Sequence, residues 1–202
     1  MLWMRSLRVA VTWLTVVATA ALGATDVAIR ALDGTMLQPF APPGTAGVLF
    51  FVATDCPISN SYAPEIQRIC RDYGTRGVSC TLIYEDVDTS PTPAHLDAAA
   101  RQHLMEFRYG DMPAAVDRTR AVAKAARATV TPQAVLVDRA GAIRYRGRID
   151  NFYAALGKPR QQVTERDLRQ ALDAVLESRP VPRPETEAHG CFIVDPAQLR
   201  KE

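Results

Sequence analysis

The feature that most constrains the fold is an uninterrupted apolar segment, Gly47–Thr54, which is followed almost at once by a cysteine and then by a helical pattern. The segment reads Gly-Val-Leu-Phe-Phe-Val-Ala-Thr and lacks the alternation of a strand with one face in water. Such a run predicts a β-strand buried on both faces. Apolar residues at helical spacing follow in residues 60–74. Cys56 therefore lies where a central strand passes into a helix.

The rest of the chain alternates between strand and helix patterns. Asp33-Gly34 predicts a hairpin ahead of the buried strand. Thr92-Pro93 and the box Thr164-x-x-Asp167 predict two helix starts. This order predicts an α/β fold with a mixed sheet. The further expected elements are a strand at 77–84, a helix after 92, an extended piece at 113–117, a helix at 119–128, strands at 133–138 and 142–149, and a helix after 164.

The N-terminal residues have the pattern of a secretory signal peptide. Arg5 and Arg8 precede a short apolar stretch, and small residues then offer cleavage after Ala20 or Gly23. An uncleaved membrane anchor is the alternative. We therefore expect residues 1–23 to be removed and the mature protein to be periplasmic or secreted, without membrane attachment.

Two further regions follow the leader. Residues 26–178 have the composition of one globular domain. Residues 179–202 begin with three closely spaced prolines, which predict an extended tail, and contain a short apolar stretch, residues 192–194, directly after Cys191. The apolar residues 192–194 give this tail a reason to dock on the domain.

The charge balance excludes electrostatic recognition of nucleic acid. The 202-residue chain has 24 Lys and Arg against 22 Asp and Glu, and loss of Arg5 and Arg8 leaves equal numbers. Without a basic excess, the sequence offers no footprint for a phosphate backbone.

Four cysteines, at positions 56, 70, 80 and 191, are the candidate chemical groups. In an oxidising compartment, four cysteines allow three full pairings, and the sequence does not choose among them. At the start of a helix, the Cys56 sulfur lies near N–H groups that favour the thiolate, the form that attacks peroxides and disulfides. The neighbouring Asp55 opposes this.

The segment Phe50–Ser59, the Val130-Thr131-Pro132 step before a strand, and the closing hairpin and helix resemble the thioredoxin superfamily. Within it, the chain is most similar to redoxin or peroxiredoxin-like proteins of the AhpC/TSA group. The resemblance implies a thioredoxin-like fold, a central mixed β-sheet flanked by helices, with a cis Thr131–Pro132 bond beside Cys56. It implies a site composed of Cys56, Thr131 and Pro132, supported by Thr54, Asp55, Pro57 and Ser59.

Three departures separate this chain from the better-known members. Ser59 stands where a dithiol thioredoxin has its second cysteine. Ala53 stands where peroxiredoxins have threonine or serine, and Thr54 is one place late. Asn60 occupies the position of the second cysteine of Sco-type copper proteins. The resemblance therefore leaves the reaction open.

A catalytic cycle without a thiol at position 59 needs a second sulfur from elsewhere. Cys191 is the best internal candidate, because the chain from Arg179 can span up to ~40 Å. It would resolve or pair with Cys56; alternatively it packs alone or pairs elsewhere. Cys70 and Cys80 are expected to be core cysteines or one structural disulfide.

Histidines add little to the prediction. His189 raises a weak metal alternative, in which Cys56, His189 and Cys191 hold a soft ion such as Cu(I). His95 and His103 have no partner in the sequence that indicates catalysis. We expect neither a metal nor another cofactor.

The leading hypothesis is an exported thiol-dependent redox enzyme. Cys56 would attack a peroxide or a protein disulfide, and Cys191 or an external thiol reductant would resolve the product. The competing hypothesis is a non-catalytic thioredoxin-like binding module or copper carrier of the cell envelope.

Overall fold

A computed structural model describes residues 27–86 and 94–195. The expected leader at 1–23 and the expected helix start at Thr92-Pro93 lie outside these residues. The helices are α1 (Pro57–Ser61), α2 (Ala63–Gly74), α3 (Ala94–Glu106), α4 (Ala121–Ala126) and α5 (Asp167–Leu176). The strands are β1 (Ile29–Arg30), β2 (Met36–Leu37), β3 (Ala46–Val52), β4 (Val78–Tyr84), β5 (Ala114–Val116), β6 (Val130–Thr131), β7 (Gln133–Asp138), β8 (Ile143–Gly147), β9 (Tyr153–Ala155), β10 (Lys158–Pro159) and β11 (Cys191–Phe192).

The fold is organised around β3, the middle strand of a five-stranded mixed sheet. The strand order is β5-β4-β3-β7-β8. β3 is parallel to β4 and antiparallel to β7. All of its residues are buried, because the side chains of Phe50 and Phe51 enter separate hydrophobic clusters on the two faces of the sheet. This explains the uninterrupted apolar run. The expected thioredoxin-like α/β fold is confirmed.

The helices cover both faces of the sheet. Residues of α2, α3 and α5 belong to the larger cluster, which includes Phe50. Residues of α4 belong to the smaller cluster, which includes Phe51. A disulfide between Cys70 and Cys80 links α2 to β4, with the two Cα atoms 5.9 Å apart. No helix among the described residues is both long and apolar enough to cross a membrane.

Two helix starts differ from the sequence prediction. The helix expected at 60–74 is divided into two helices. α1 begins directly after Cys56, and Tyr62 separates it from α2. The expected capping box at Thr164 is wrong: α5 begins at Asp167. The side chain of Asn151 instead accepts from the Thr164 N–H at 2.9 Å and donates to the Thr164 hydroxyl at 2.7 Å.

The tail returns across the domain after α5. Its first anchor is β8, where the Arg146 N–H donates to the Pro184 carbonyl at 2.9 Å and the Thr186 N–H donates to the Arg146 carbonyl at 3.0 Å. The Thr186 and Tyr145 hydroxyls lie 2.6 Å apart. Its second anchor is β6, with which β11 pairs antiparallel. The tail is therefore held by backbone hydrogen bonds at two separate strands.

We predict that Cys70→Ala/Cys80→Ala lowers the free energy of unfolding by about 3 kcal/mol under oxidising conditions. The estimate follows because this cross-link, with a sequence separation of 10, restricts the unfolded chain. Urea denaturation followed by circular dichroism measures it.

Reduced wild type is the control for packing at these positions. With a thiol reductant present, wild type and variant should have similar stability. A difference of equal size in the reductant would contradict the assignment of the stabilisation to the cross-link.

Candidate active site

Cys56 follows the short turn after β3 and caps the N-terminus of α1. Its Sγ accepts a hydrogen bond from the Ser59 N–H at 3.5 Å. The Ser59 hydroxyl in turn accepts from the Ala53 N–H at 3.4 Å, so Ser59 bridges the turn on both sides of the cysteine. Cys56 is 1% exposed. Solvent therefore has almost no access to its sulfur in this form of the protein.

The loop before β7 packs against the cysteine. The Thr131–Pro132 peptide bond is cis, and the Thr131 carbonyl oxygen lies 3.2 Å from Cys56 Sγ. The Gln133 side chain accepts from the N–H groups of Thr129 and Val130, at 2.9 and 3.4 Å. A buried side chain thus fixes the backbone that faces the sulfur.

The C-terminal tail brings Cys191 to the same loop beside Cys56. In the β6–β11 pair, Cys191 is opposite Thr131 and Phe192 is opposite Val130. Cys56 and Cys191 form a disulfide with Cα atoms 6.1 Å apart. Cys191 is half-buried, so it is the more exposed residue of the pair.

Beyond Cys191, a backbone hydrogen bond and an ion pair help to hold the tail, whereas its aromatic side chain does not. Phe192 is 80% exposed, so the expected docking of the apolar residues 192–194 is wrong at this position, whereas the partly buried Ile193 packs against the smaller hydrophobic cluster. The Ile193 N–H donates to the Thr129 carbonyl at 2.9 Å, and Lys124 pairs with Asp195 at 2.9 Å. The ladder thereby continues past the two paired residues.

Arg120 is a site residue that the sequence analysis missed. It is buried and donates to the tail carbonyl of Val194 at 3.0 Å and to the Asp86 carbonyl at 2.9 Å. Its Nε lies 3.3 Å from a carboxylate oxygen of Glu85. Burial and the neighbouring Asp117 raise the pKa of Glu85, against the effect of Arg120. Arg120 thus joins the tail to the loop after β4.

The predicted supporting residues have different surroundings. The Thr54 N–H and hydroxyl donate to the Asp86 carboxylate, at 2.8 and 2.6 Å, so this hydroxyl donates its proton to Asp86 and not to the sulfur. Burial raises the pKa of Asp86, and the bonds from Thr54 oppose the shift. Asp55 and Pro57 are exposed at the rim. Ser59 alone of the four contacts the cysteine sulfur.

His103 belongs to a largely buried hydrogen-bond network behind the site, which no sequence pattern indicates. Its Nε2 lies 2.9 Å from the Asn60 side-chain oxygen, and its Nδ1 lies 2.9 Å from the Tyr84 hydroxyl. The Asn60 amide donates to the Thr54 carbonyl at 3.0 Å. Asn60 therefore presents its oxygen to His103, which must carry its proton on Nε2. Burial lowers the pKa of His103, so the neutral ring holds the turn before Cys56.

The structure does not arrange Cys56, His189 and Cys191 as a metal site. Both sulfurs of that set are joined in the disulfide, and His189 Nδ1 lies 3.8 Å from a Glu187 carboxylate oxygen. Within 27–86 and 94–195, no three His, Cys, Asp or Glu side chains are grouped to hold an ion.

A cysteine at the end of a central strand, a cis-proline loop against its sulfur and a thioredoxin-like sheet define a thiol oxidoreductase of the thioredoxin class. The AhpC/TSA family model matches residues 24–146, which is more than half of the chain. The protein therefore belongs to the AhpC/TSA family.

Several solved structures are similar to this chain. An uncharacterized conserved protein from Geobacillus kaustophilus is 31% identical, with a TM-score of 0.70 over 85% of this chain and 89% of that one. A hypothetical protein from Sinorhizobium meliloti is 27% identical, with a TM-score of 0.70 over 87% and 94%. DsbF of MTB, solved in mixed oxidized and reduced forms, is 16% identical, with a TM-score of 0.56 over 75% and 96%, and shares the fold. No curated protein matches the sequence.

We predict that His103→Gln flattens the pH dependence of stability. Since the pKa of His103 is lowered in the folded state, the unfolded chain binds the proton first as the pH falls below about 6.5. Wild type should therefore lose stability relative to the variant between about pH 7.5 and pH 5.5. Urea denaturation at both pH values measures the difference.

His95→Gln, at an exposed position of the same helix, controls for the loss of a histidine from α3. An unchanged difference between wild type and His103→Gln at the two pH values would contradict the neutral, buried assignment.

Proposed function

We propose that the protein is an exported thiol–disulfide oxidoreductase that cycles between a Cys56–Cys191 disulfide and the corresponding dithiol. The observation that carries the proposal is the bond between the two sulfurs at the cis-proline loop. Because Ser59 occupies the usual place of a second thiol, the tail supplies that thiol from 135 residues away.

The proposed cycle starts from the dithiol. The Cys56 thiolate attacks one sulfur of a substrate disulfide, which forms a mixed disulfide and releases the other substrate sulfur as a thiolate. The Cys191 thiolate then attacks Cys56 Sγ, which forms the Cys56–Cys191 disulfide and releases the second substrate thiolate. The substrate gains two electrons and the protein loses two. The Ser59 N–H stabilises the negative charge on Cys56 whenever this sulfur is the leaving group.

Regeneration would begin at the tail. Cys56 is 1% exposed whereas Cys191 is half-buried, so an external thiolate reaches Cys191 first. Its attack forms a mixed disulfide on Cys191 and expels the Cys56 thiolate, and a second thiol of the reductant releases Cys191. The partners are thus a protein disulfide substrate and an external dithiol reductant.

Peroxide reduction has less support from the surroundings of Cys56. Residue 53 is an alanine and has no hydroxyl, and the Thr54 hydroxyl donates to Asp86 and not to the sulfur. The donor that reaches Cys56 Sγ is the backbone N–H of Ser59. This is a sparse arrangement for stabilising the oxygen–oxygen bond that a peroxidase must break.

Export is supported by the leader pattern at 1–23 and by the chemistry of the cysteines. All four cysteines are paired in two disulfides, and disulfides persist in oxidising compartments such as the periplasm. The mass of the mature protein tests this part: the proposal expects an N-terminus after Ala20 or Gly23.

We predict that Cys191→Ser traps a mixed disulfide. Reduced Cys191→Ser, mixed with a disulfide-bonded peptide, should accumulate a Cys56–peptide adduct, because the resolving thiol is missing. Wild type should pass through the adduct to the internal disulfide. Quenching with acid and intact mass spectrometry measure both species.

Cys56→Ser/Cys191→Ser is the matched control for the attacking sulfur and should form no such adduct. Hydrogen peroxide in place of the peptide separates the two substrates. Fast sulfenic acid formation at Cys56 with negligible adduct formation would contradict disulfide exchange and favour a peroxidase.

A further inference from the structure

The tail reaches the site as an added β-strand, and its backbone supplies most of the contacts. β11 pairs with β6 over two residues, and the Ile193 N–H extends the ladder to Thr129. The Thr131 hydroxyl lies 3.5 Å from the Cys191 carbonyl. A strand held through its backbone can in principle be replaced by any extended segment that delivers a cysteine sulfur to the same place.

The residue directly before that strand, Gly190, has no room for a side chain. A Cβ atom on Gly190 would lie 2.0 Å from the Thr131 carbonyl oxygen and 3.1 Å from the Pro132 nitrogen. These are backbone atoms, and the same carbonyl oxygen is 3.2 Å from Cys56 Sγ. The loop therefore cannot give way without displacing the atoms that surround the reactive sulfur.

The residue after the cysteine has room for a large side chain. Phe192 is 80% exposed although its backbone pairs with Val130. The site thus excludes a side chain at the residue before the cysteine and accepts even a large one at the residue after it.

We propose, on the basis of the proposed exchange function, that this site accepts a cysteine only from an extended segment in which glycine directly precedes it. Gly190 meets this requirement for the resident tail, and Gly-Cys segments of partner proteins meet it in trans. The carbonyl of Thr131 is the specificity-determining group, and the oxidised tail excludes partner segments from the site.

The first test is made in trans with peptides that have the sequence of residues 186–195. One peptide keeps Gly-Cys and the other has Ala-Cys, and each is activated as a mixed disulfide with thionitrobenzoate. The Cys56 thiolate attacks the peptide sulfur, forms the protein–peptide disulfide and releases the coloured thionitrobenzoate anion. The protein is full-length Gly190→Ala/Cys191→Ser, in which the resident tail no longer fits and has no thiol.

The Gly-Cys peptide should react about tenfold or more faster than the Ala-Cys peptide. Free dithiobis-nitrobenzoate, which has no peptide backbone, measures the intrinsic reactivity of Cys56. Equal rates for the two peptides, with normal reactivity toward the small disulfide, would overturn the glycine requirement and leave the exchange function intact. A Cys56 that is inert to all three reagents would overturn the exchange function, and the glycine requirement with it.

The second test is made in cis with all native cysteines present. Gly190→Ala should shift the Cys56–Cys191 equilibrium against glutathione toward the dithiol by about tenfold. Gly74→Ala is the matched control, because a Cβ at Gly74 meets nothing within 4 Å, and it should leave the equilibrium unchanged. Equal equilibria for both variants would overturn the positioning role of Gly190.

Discussion

The site depends on one interaction, the pairing of a two-residue tail strand with the strand that ends in the cis-proline loop. This pairing sets Cys191 opposite Thr131 and brings its sulfur to Cys56. Without it, Cys56 would have no neighbouring thiol, because position 59 is a serine. The ladder, the Thr186 anchor on β8 and the Arg120 bond to Val194 all hold the same strand in place. Several weak contacts together make a distant cysteine act as a local one.

The rest of the domain gives this pairing a rigid surface. β3 is buried on both faces, so the turn after it has a fixed starting point. Gln133 holds the loop before β7, and the Asn60–His103–Tyr84 network holds the turn before the cysteine. Both supports are buried polar groups with satisfied hydrogen bonds, which specify one arrangement more sharply than apolar packing alone. The Cys56 sulfur therefore lies between two fixed pieces of backbone.

Sequence reasoning predicted the central features because they are local. An apolar run that fills both faces of a sheet is readable as β3, and the cysteine after it is readable as a helix cap. The pairing of the cysteines was not readable, since it depends on how the tail crosses the domain. The roles of Arg120, Asn60 and His103 also depend on contacts between distant segments. The wrong prediction of a capping box at Thr164 shows the converse. Asn151, a distant partner, accepts from the Thr164 N–H in place of the expected Asp167 side chain.

The two cysteine pairings are tested most directly by a disulfide map. The protein is isolated from its native compartment with its free thiols blocked. Proteolysis without reductant, followed by mass spectrometry, identifies each linked pair of peptides. We expect one linked pair of peptides that contains Cys56 and Cys191 and another that contains Cys70 and Cys80. A link from Cys56 to Cys70 or Cys80, or a blocked Cys191 beside an unreactive Cys56, would contradict this expectation.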